Sequence, residues 1–307
     1  AYRDRYRPAV LPFTVDLSTS GAHNHPSAAQ REPTMDPKSG SPSADRPRHL
    51  WPDYGAQFED TAVAAVYRKR PPYPAETFNL LTDVIDRLPG TQHRLLDVGA
   101  GTGEIAIPLA QRGLRVEAME PSAAMLKIAR EQPGAGQVKF INDSGETLSA
   151  QNSYDLIVCA QSLHWMDWSV VMPAFAQALQ PKGKLAIVKL DELSGPWLPA
   201  LQALIARYST NRDFRPFNLV DELVKRKHFT EERVLRTAPL AFNQTTVDFI
   251  DSIHGRNGFS RDRMPEHAAR SFDEAVRALL DSHCPDGVVR GHIAATIHLG
   301  EPSLPKG

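Results

Sequence analysis

The stretch LLDVGAGTGEIAIPLA, Leu95 to Ala110, decides the fold. Leu95 to Val98 read as a buried strand. Gly99, Gly101 and Gly103 follow at alternate positions, and EIAIPLA leaves as a helix. A strand that runs through glycines into a helix is the first unit of a doubly wound α/β sheet, where a nucleoside-bearing ligand sits over the strand's carboxyl end. Two phosphate-binding readings fail at named positions. The dinucleotide fingerprint G-x-G-x-x-G needs a third glycine where this chain has Glu104, which disfavours an NAD-dependent oxidoreductase. A P-loop needs Gly-Lys-[Ser/Thr], and no lysine follows the turn. Another nucleoside cofactor, or a glycine-rich turn of an unrelated α/β protein, stays open at this point.

The pattern extends outward. RVEAME (115–120), VKFIN (138–142), YDLIVCA (154–160) and KGKLAIVKL (182–190) read as strands, with SAAMLKIAREQ (122–132) and VVMPAFAQAL (170–179) as helices. Continuous apolar strands alternating with helices predict a parallel sheet covered on both faces. Upstream, FEDTAVAAVYRKR (58–70) has helical spacing and stops at Pro71–Pro72; AETFNLLTDVIDRL (75–88) reads as a second helix. Residues 191–235 read as mostly helical. TAPLAFNQ (237–244) and VVRGHIAATIHLG (288–300) read as late strands, with two helical stretches between them. The expected organisation is a tail over residues 1–50 and an α/β domain over 51–307. Within that domain, about 90–190 form the ligand-binding core, about 191–235 a helical cap after the fifth strand, and 236–307 late strands and lid-like segments.

The 307 residues carry 35 basic and 36 acidic side chains, a formal net charge of −1. That balance offers no basic surface for nucleic acid or a membrane. No apolar run reaches the roughly 18 residues that span a bilayer. Cys159 and Cys284 lie far apart without metal-ligand spacing and read as reduced thiols of a cytoplasmic protein. Residues 21–50 are rich in Pro, Ser, Ala and charge, so burial does not offset their ordering entropy and disorder is expected. His292 and His298 share one face of a strand but lack a third ligand, so no metal is expected.

Asp97-x-Gly99-x-Gly101-x-Gly103 resembles the first motif of the class I S-adenosylmethionine-dependent methyltransferases. The resemblance implies their Rossmann-like, doubly wound, mostly parallel seven-stranded sheet. Glu120 ends the second strand 23 residues after Asp97, where a carboxylate can accept from both ribose hydroxyls. INDSGETL (141–148) resembles the family's G-[DS]-A-E-x-L segment, with Ser144, Gly145 and Glu146 in register. Its acid is Asp143, one residue earlier than usual, so either Asp143 or Ser144 meets the adenine. YDLIVCAQSLHWMDW (154–168) resembles the branch of small-molecule methyltransferases that includes trans-aconitate methyltransferases and their yeast relatives, where A-Q-x-x-H-W-F-D follows this strand. FEDTAVAAVYRKRPPYP resembles that branch's leading helix, Y-x-x-x-R-P-x-Y-P. The resemblance covers about Phe58 to Leu190 and fades beyond.

Carried over residue by residue, the resemblance implies S-adenosyl-L-methionine as cofactor and S-adenosylhomocysteine as product. Asp97 is expected near the amino group, and the three glycines beside the methionine part, which a β-carbon would obstruct. Glu120, Pro121 and Met125 are expected on the nucleoside side, Asp143, Ser144 and Gly145 at the adenine, and Ala160 and Gln161 at the fourth strand's exit. Tyr67 and Arg70 either close over the cofactor and meet its carboxylate or form an ordinary helix end. His164 is a general base, a hydrogen-bond donor to substrate, or a packing residue beside Trp165. Trp165 walls the acceptor pocket or belongs to the core. DSIHGRNGFSRDRM (251–264) is a lid or acceptor loop, with His254 and Arg256 toward an anionic substrate, or a solvated turn. The implied acceptor is a small organic molecule methylated on oxygen, nitrogen or carbon, and the protein a monomer or homodimer. A nucleic-acid amino-methyltransferase carries [DNS]-P-P-[YFW] after the fourth strand, where this chain has Ala160-Gln161-Ser162-Leu163. A cofactor-binding cyclase or non-catalytic protein is the alternative reading.

Overall fold

The computed structural model describes residues 47–149, 154–193, 195–215 and 217–303. The tail expected over 1–50 lies almost wholly outside the described residues. Eight strands form one sheet: β1 (Arg94–Val98), β2 (Arg115–Met119), β3 (Val138–Ile141), β4 (Tyr154–Ala160), β5 (Leu179–Leu193), β6 (Phe229–Arg236), β7 (Leu240–Thr245) and β8 (Val288–Pro302). The order is β3-β2-β1-β4-β5-β8-β6, and β7 pairs with β8 as well. Strands β1 to β5 are parallel. Strand β8 is antiparallel to β5 on one edge and to β6 and then β7 on the other. The sheet thus has one strand more than expected. Thr237 joins β6 to β7 across β8, donating its backbone N–H to the Ala295 carbonyl and accepting the Ala295 N–H on its hydroxyl.

Ten α-helices accompany the strands among the described residues: α1 (Pro52–Gly55), α2 (Thr61–Tyr67), α3 (Ala75–Ile85), α4 (Ala106–Ala110), α5 (Ala123–Arg130), α6 (Trp168–Ala178), α7 (Leu198–Tyr208), α8 (Leu219–Lys225), α9 (Thr246–His254) and α10 (Glu266–Asp281). The period-2 rule of a strand explains how β1 serves two cores at once. Leu95 packs on one face with Phe78 and Leu81 of α3 and Leu109 of α4. Leu96 and Val98 pack on the other with Val171 and Phe175 of α6 and Leu223 of α8. A third cluster joins Leu201 of α7, Ile250 and Ile253 of α9, and Phe272 and Val276 of α10.

The cap expected over 191–235 therefore divides. Helix α7 joins α9 and α10, whereas Val220 and Leu223 of α8 pack under the main sheet. Residues 229–236 are a strand, not the helix their Glu and Arg content suggests. Lys227 takes φ +60° and ends α8. The FTEERVLR segment then pairs with β8, burying Phe229 and exposing most of its remaining side chains. Ladder pairing overrides local helix propensity here. The helix expected over 58–70 is also shorter, since a 3₁₀ turn (Ala56–Glu59) precedes α2.

The chain reverses its winding between β1 and β4, and that junction is tightly packed. Gly99 has φ +72°, and a β-carbon there would lie 2.4 Å from Ser162 Cβ. The Ser162 hydroxyl donates to the Val98 carbonyl at 2.6 Å. Both strand ends are thereby fixed where an open α/β sheet holds its ligand. Phe175 is fully buried beneath this junction. Phe175→Ala is expected to cost about 3–5 kcal/mol in urea unfolding, the usual loss for a buried phenylalanine. Val170→Ala, exposed on the same helix, is expected to change stability by no more than about 0.5 kcal/mol.

Candidate active site

The turn after β1 is built on backbone conformations that suit glycine. Gly99, Gly101 and Gly103 all have positive φ, at +72°, +57° and +91°. The Gly101 N–H donates to Glu120 Oε2 at 2.9 Å, and the Ser122 N–H donates to Glu120 Oε1 at 2.9 Å. Glu120 therefore ties the glycine turn to the start of α5. Tyr67 covers this turn, since a β-carbon on Gly101 would sit 3.4 Å from its ring.

A cleft of about 290 Å³ opens beside the turn. Asp97, Gly99, Ala100 and Gly103 line it from β1 and its exit, with Ala160, Gln161 and Leu190 from the ends of β4 and β5. Tyr67, Arg70, Pro71, Pro72 and Tyr73 line it from the leading segment. Gln161 takes φ +55°, unusual for a residue with a side chain. Its N–H bonds the Val188 carbonyl at 3.0 Å and its amide the Leu190 carbonyl at 3.3 Å. These bonds hold the strained residue at the cleft wall.

Asp97 is the electrostatic centre. It is 1% exposed, and among the described residues neither carboxylate oxygen meets a hydrogen-bond donor at bonding geometry. Burial pushes its pKa up to about 8, with further upward pressure from Glu104 and Glu120; the Ala106 N–H gives slight relief. Burial likewise raises Glu104 and Glu120 above the usual carboxylate range. Glu104 also accepts from the Thr102 hydroxyl. Three carboxyl groups thus crowd one glycine turn. Such a site holds a proton while empty of cations and favours a positively charged ligand group. Arg70 lies at the rim, its guanidinium 5.0 Å from the Tyr67 ring centroid.

The other sequence-predicted residues lie outside the cleft lining. Asp143 and Ser144 are exposed and half-buried beyond β3, and Asp143 accepts the Ser144 N–H at 2.9 Å. Gly145 is buried, with little room for a β-carbon between Val98 and Met166. The Pro121 carbonyl accepts from Asn142. Met125 is buried against Val63 and Ala64 of α2, so it supports the leading segment from below. His164 and Trp165 form a short turn after β4; their rings lie 4.7 Å apart, and Trp165 stacks at a tilt on Phe58, 5.4 Å away. Neither lines the cleft. Trp168 is a core residue that donates its indole N–H to the Leu163 carbonyl.

His254 and Arg256 require a correction. His254 is 1% exposed at the end of α9. Both its ring nitrogens are used, on the Phe259 carbonyl at 2.8 Å and Asp273 Oδ1 at 2.6 Å, so it does not face a substrate. Arg256 sits in the following turn, its N–H on the Ile253 carbonyl, outside the cleft lining. Sequence reasoning missed Tyr73, Leu190 and the cleft role of Glu104. Tyr73 stood in the RPPYP stretch, and Glu104 was read only as an absent glycine. Among the described residues no group of His, Cys, Asp and Glu is arranged to hold a metal, and no helix is long and apolar enough to cross a membrane. Both cysteines are free and buried.

Residues 95–183 match the family model described as a methyltransferase domain. An uncharacterized methyltransferase of Mycobacterium tuberculosis is 36% identical over 149 residues, which span 48% of this chain and 58% of the relative. A probable S-adenosylmethionine-dependent methyltransferase of Saccharomyces cerevisiae is 29% identical over 123 residues, 38% of this chain and 41% of that one. The chain therefore spans little more than half the length of the mycobacterial relative. Among solved structures, a protein of Anaeromyxobacter dehalogenans assigned as a type II methyltransferase shares the fold, with a TM-score of 0.50 and 20% identity over 77% of this chain and 99% of that one. The family match and the sheet order together make residues 95–183 a methyltransferase domain of the class I, S-adenosylmethionine-dependent type.

Proposed function

We propose that this protein transfers a methyl group from S-adenosylmethionine to a small organic molecule, and that S-adenosylhomocysteine is released. The observation that carries the reading is Asp97, a buried carboxylate in the cleft whose oxygens meet no donor at bonding geometry among the described residues. An ammonium is the donor such a group lacks, and the methionine part of the cofactor has one. When bound, the cofactor supplies an activated sulfonium methyl that needs only an aligned nucleophile. Asp97 holds the amino group and Arg70, with Tyr67, the carboxylate. Glu120 accepts from the ribose hydroxyls with the lone pairs left beyond its two backbone bonds. Asp143 or Ser144 takes the adenine amine.

The narrow cleft and the balanced charge support a small acceptor rather than nucleic acid. So does the likeness of AQSLHW to a small-molecule branch. Holding the two reactants in line accounts for most of the rate, within the roughly 7–11 kcal/mol available to well-oriented pairs. His164 is the chain's candidate base, half-buried just past β4. A screen of candidate acceptors scored by S-adenosylhomocysteine release tests the function directly. A cyclase-like protein would leave the cofactor intact in that assay.

The Asp97 reading fixes the sign of a pH dependence. A carboxyl group raised to about 8 must lose its proton to pair with an ammonium. S-Adenosylhomocysteine affinity is therefore expected to rise with pH up to about 8, by at most tenfold per unit, with a proton released on binding. Calorimetry in buffers of different ionisation heat reads that proton. Asp97→Asn should abolish the release and weaken binding by more than about 1.5 kcal/mol. The same raised pKa means the folded state binds more protons than the unfolded chain, so Asp97 costs stability as pH rises from about 4 to 8. Asp97→Asn should thus raise the melting temperature of the ligand-free protein at pH 8. A fall would mark Asp97 as a structural residue.

The His164 reading is tested once an acceptor is found. With a hydroxyl or protonated amine as acceptor, His164→Ala and His164→Asn should both lower turnover by about 10²-fold or more, with cofactor affinity intact. With a carboxylate, which is already ionised, His164→Asn should keep most of the activity. Wild-type rates in both variants would remove His164 from the reaction.

A further inference from the structure

The cofactor assignment leaves one carboxylate of the cleft unclaimed. On the proposed function Asp97 takes the ammonium, Arg70 the carboxylate and Glu120 the ribose, whereas Glu104 lines the same cleft without a part. It stands where a dinucleotide site carries its third glycine. An acid there repels a phosphate, so this turn is built to face something other than an anion.

The backbone brings Glu104 close to Asp97. The chain turns from Gly101 to Ile105 before α4 begins at Ala106. The Ala106 N–H lies near enough to Asp97 to relieve its charge, and Glu104 is two residues earlier in that turn. Of the charges that push Asp97 upward, Glu104 acts more strongly than Glu120. The Thr102 hydroxyl donates to Glu104 Oε1, and Thr102 is itself buried, so the carboxylate is held from within the turn. Arg68 and Arg70, which also line the cleft, act on it as opposing charges. Lone pairs remain on Glu104, since a carboxylate offers about four acceptor sites.

Asp97 is the independent sign of a ligand at this place. It is almost wholly buried in the cleft wall, with both oxygens short of a donor among the described residues. An ammonium brings three N–H donors in a tetrahedral spread. The two oxygens of one carboxylate, lying on one side, cannot engage them all. The remaining donor needs a second acceptor, and an anionic one gains most in a site screened from water. As a purely structural group Glu104 is costly. Burial raises its carboxyl above the usual range, so the folded chain holds its proton more tightly than the unfolded chain does. Its presence therefore lowers stability as pH rises past the ordinary range of a glutamate, and a bound cation offsets that loss.

We propose that Glu104 is a second carboxylate for the cofactor's amino group. Asp97 holds the ammonium from the end of β1, and Glu104 holds it from the turn before α4. The cleft thereby selects ligands that carry a free amino group. The proposal rests on reading Asp97 as the ammonium site, so Asp97→Asn is the control that separates the two.

The experiment measures affinity by calorimetry for two ligands, at about pH 8.5, where Asp97 is mostly ionised. One ligand is S-adenosylhomocysteine. The other is its deaminated analogue, which has hydrogen in place of the amino group and keeps the carboxylate and the nucleoside. Glu104→Gln should bind S-adenosylhomocysteine about tenfold or more weakly than the wild type, the loss expected for a hydrogen bond to a charged group. It should bind the analogue within about twofold of the wild type, because the group that Glu104 meets is missing. Asp97→Asn should show the same split. Ligand-free Glu104→Gln should also melt higher than the wild type at this pH, since an amide has no charge to bury. Glu104→Asp keeps the charge and shortens its reach; it should lose part of the preference for the amino group and serves where Glu104→Gln fails to fold. Equal weakening of both ligands, or a fall in melting temperature, would mean that Glu104 acts through the turn or through Arg70 and would overturn the proposal. A wild-type preference in a folded Glu104 variant, with Asp97→Asn defective, would also overturn it and leave the cofactor reading intact. Wild-type affinity in both Glu104→Gln and Asp97→Asn, or no binding by the wild type, would remove the reading and the proposal together.

Discussion

Everything at the site depends on the close approach of two strand ends at the β1–β4 junction. Gly99 has no β-carbon because Ser162 occupies that space, and the Ser162 hydroxyl caps the Val98 carbonyl. The chain then has to turn with three positive-φ residues before α4 begins. The Gly101 N–H and the start of α5 converge on Glu120, and Asp97 is left at the base of the cleft with no donor at bonding geometry among the described residues. The turn and the acid cluster are thus one device. A bulkier residue at Gly99 would open the junction, and with it the alignment of Asp97 against the cleft.

The second half of the site comes from outside the sheet. The leading segment packs α2 on α5 through Val63, Ala64 and Met125, while its polar groups turn toward the 255–263 loop. Asp60 takes Arg263 and the Ser260 hydroxyl, and Gln57 accepts the Gly258 N–H. These contacts cross about two hundred positions of sequence. Most are ion pairs or side-chain hydrogen bonds rather than buried apolar surface, which makes this closure weaker than the sheet it covers. On the proposed function, a segment that admits a cofactor and retains it is best held by such interactions.

Legibility in the sequence followed the range of the interactions. The β1 turn and the alternation of strands and helices rest on spacing within a few tens of residues, and the expectation and the structure agree on them. Strand β6 did not show, because FTEERVLR has the composition of an exposed helix and becomes a strand only against β8, sixty positions later. The cap was misjudged for a similar reason. Helices α7 and α8 look alike as amphipathic segments, and only tertiary packing sends one to α10 and the other beneath the sheet. His254 was read toward a substrate because a histidine among glycines and arginines suggests an exposed loop. Its burial depends on Asp273 and Phe272, which no local pattern announces.

The charge of the cleft bears on what binds and what leaves. Burial raises Asp97, Glu104 and Glu120 and makes each ionised form costly, and Glu104 and Glu120 together push Asp97 up further. On the proposed function, the cofactor enters with an ammonium and a sulfonium, and both charges offset that cost. Methyl transfer removes the sulfonium charge and leaves the ammonium alone. In a cleft partly screened from water, losing one favourable charge from the neighbourhood of several carboxyl groups weakens the complex more than it would at an open surface. The acid cluster thus favours the charged cofactor over its neutralised product without any contact to the methyl group.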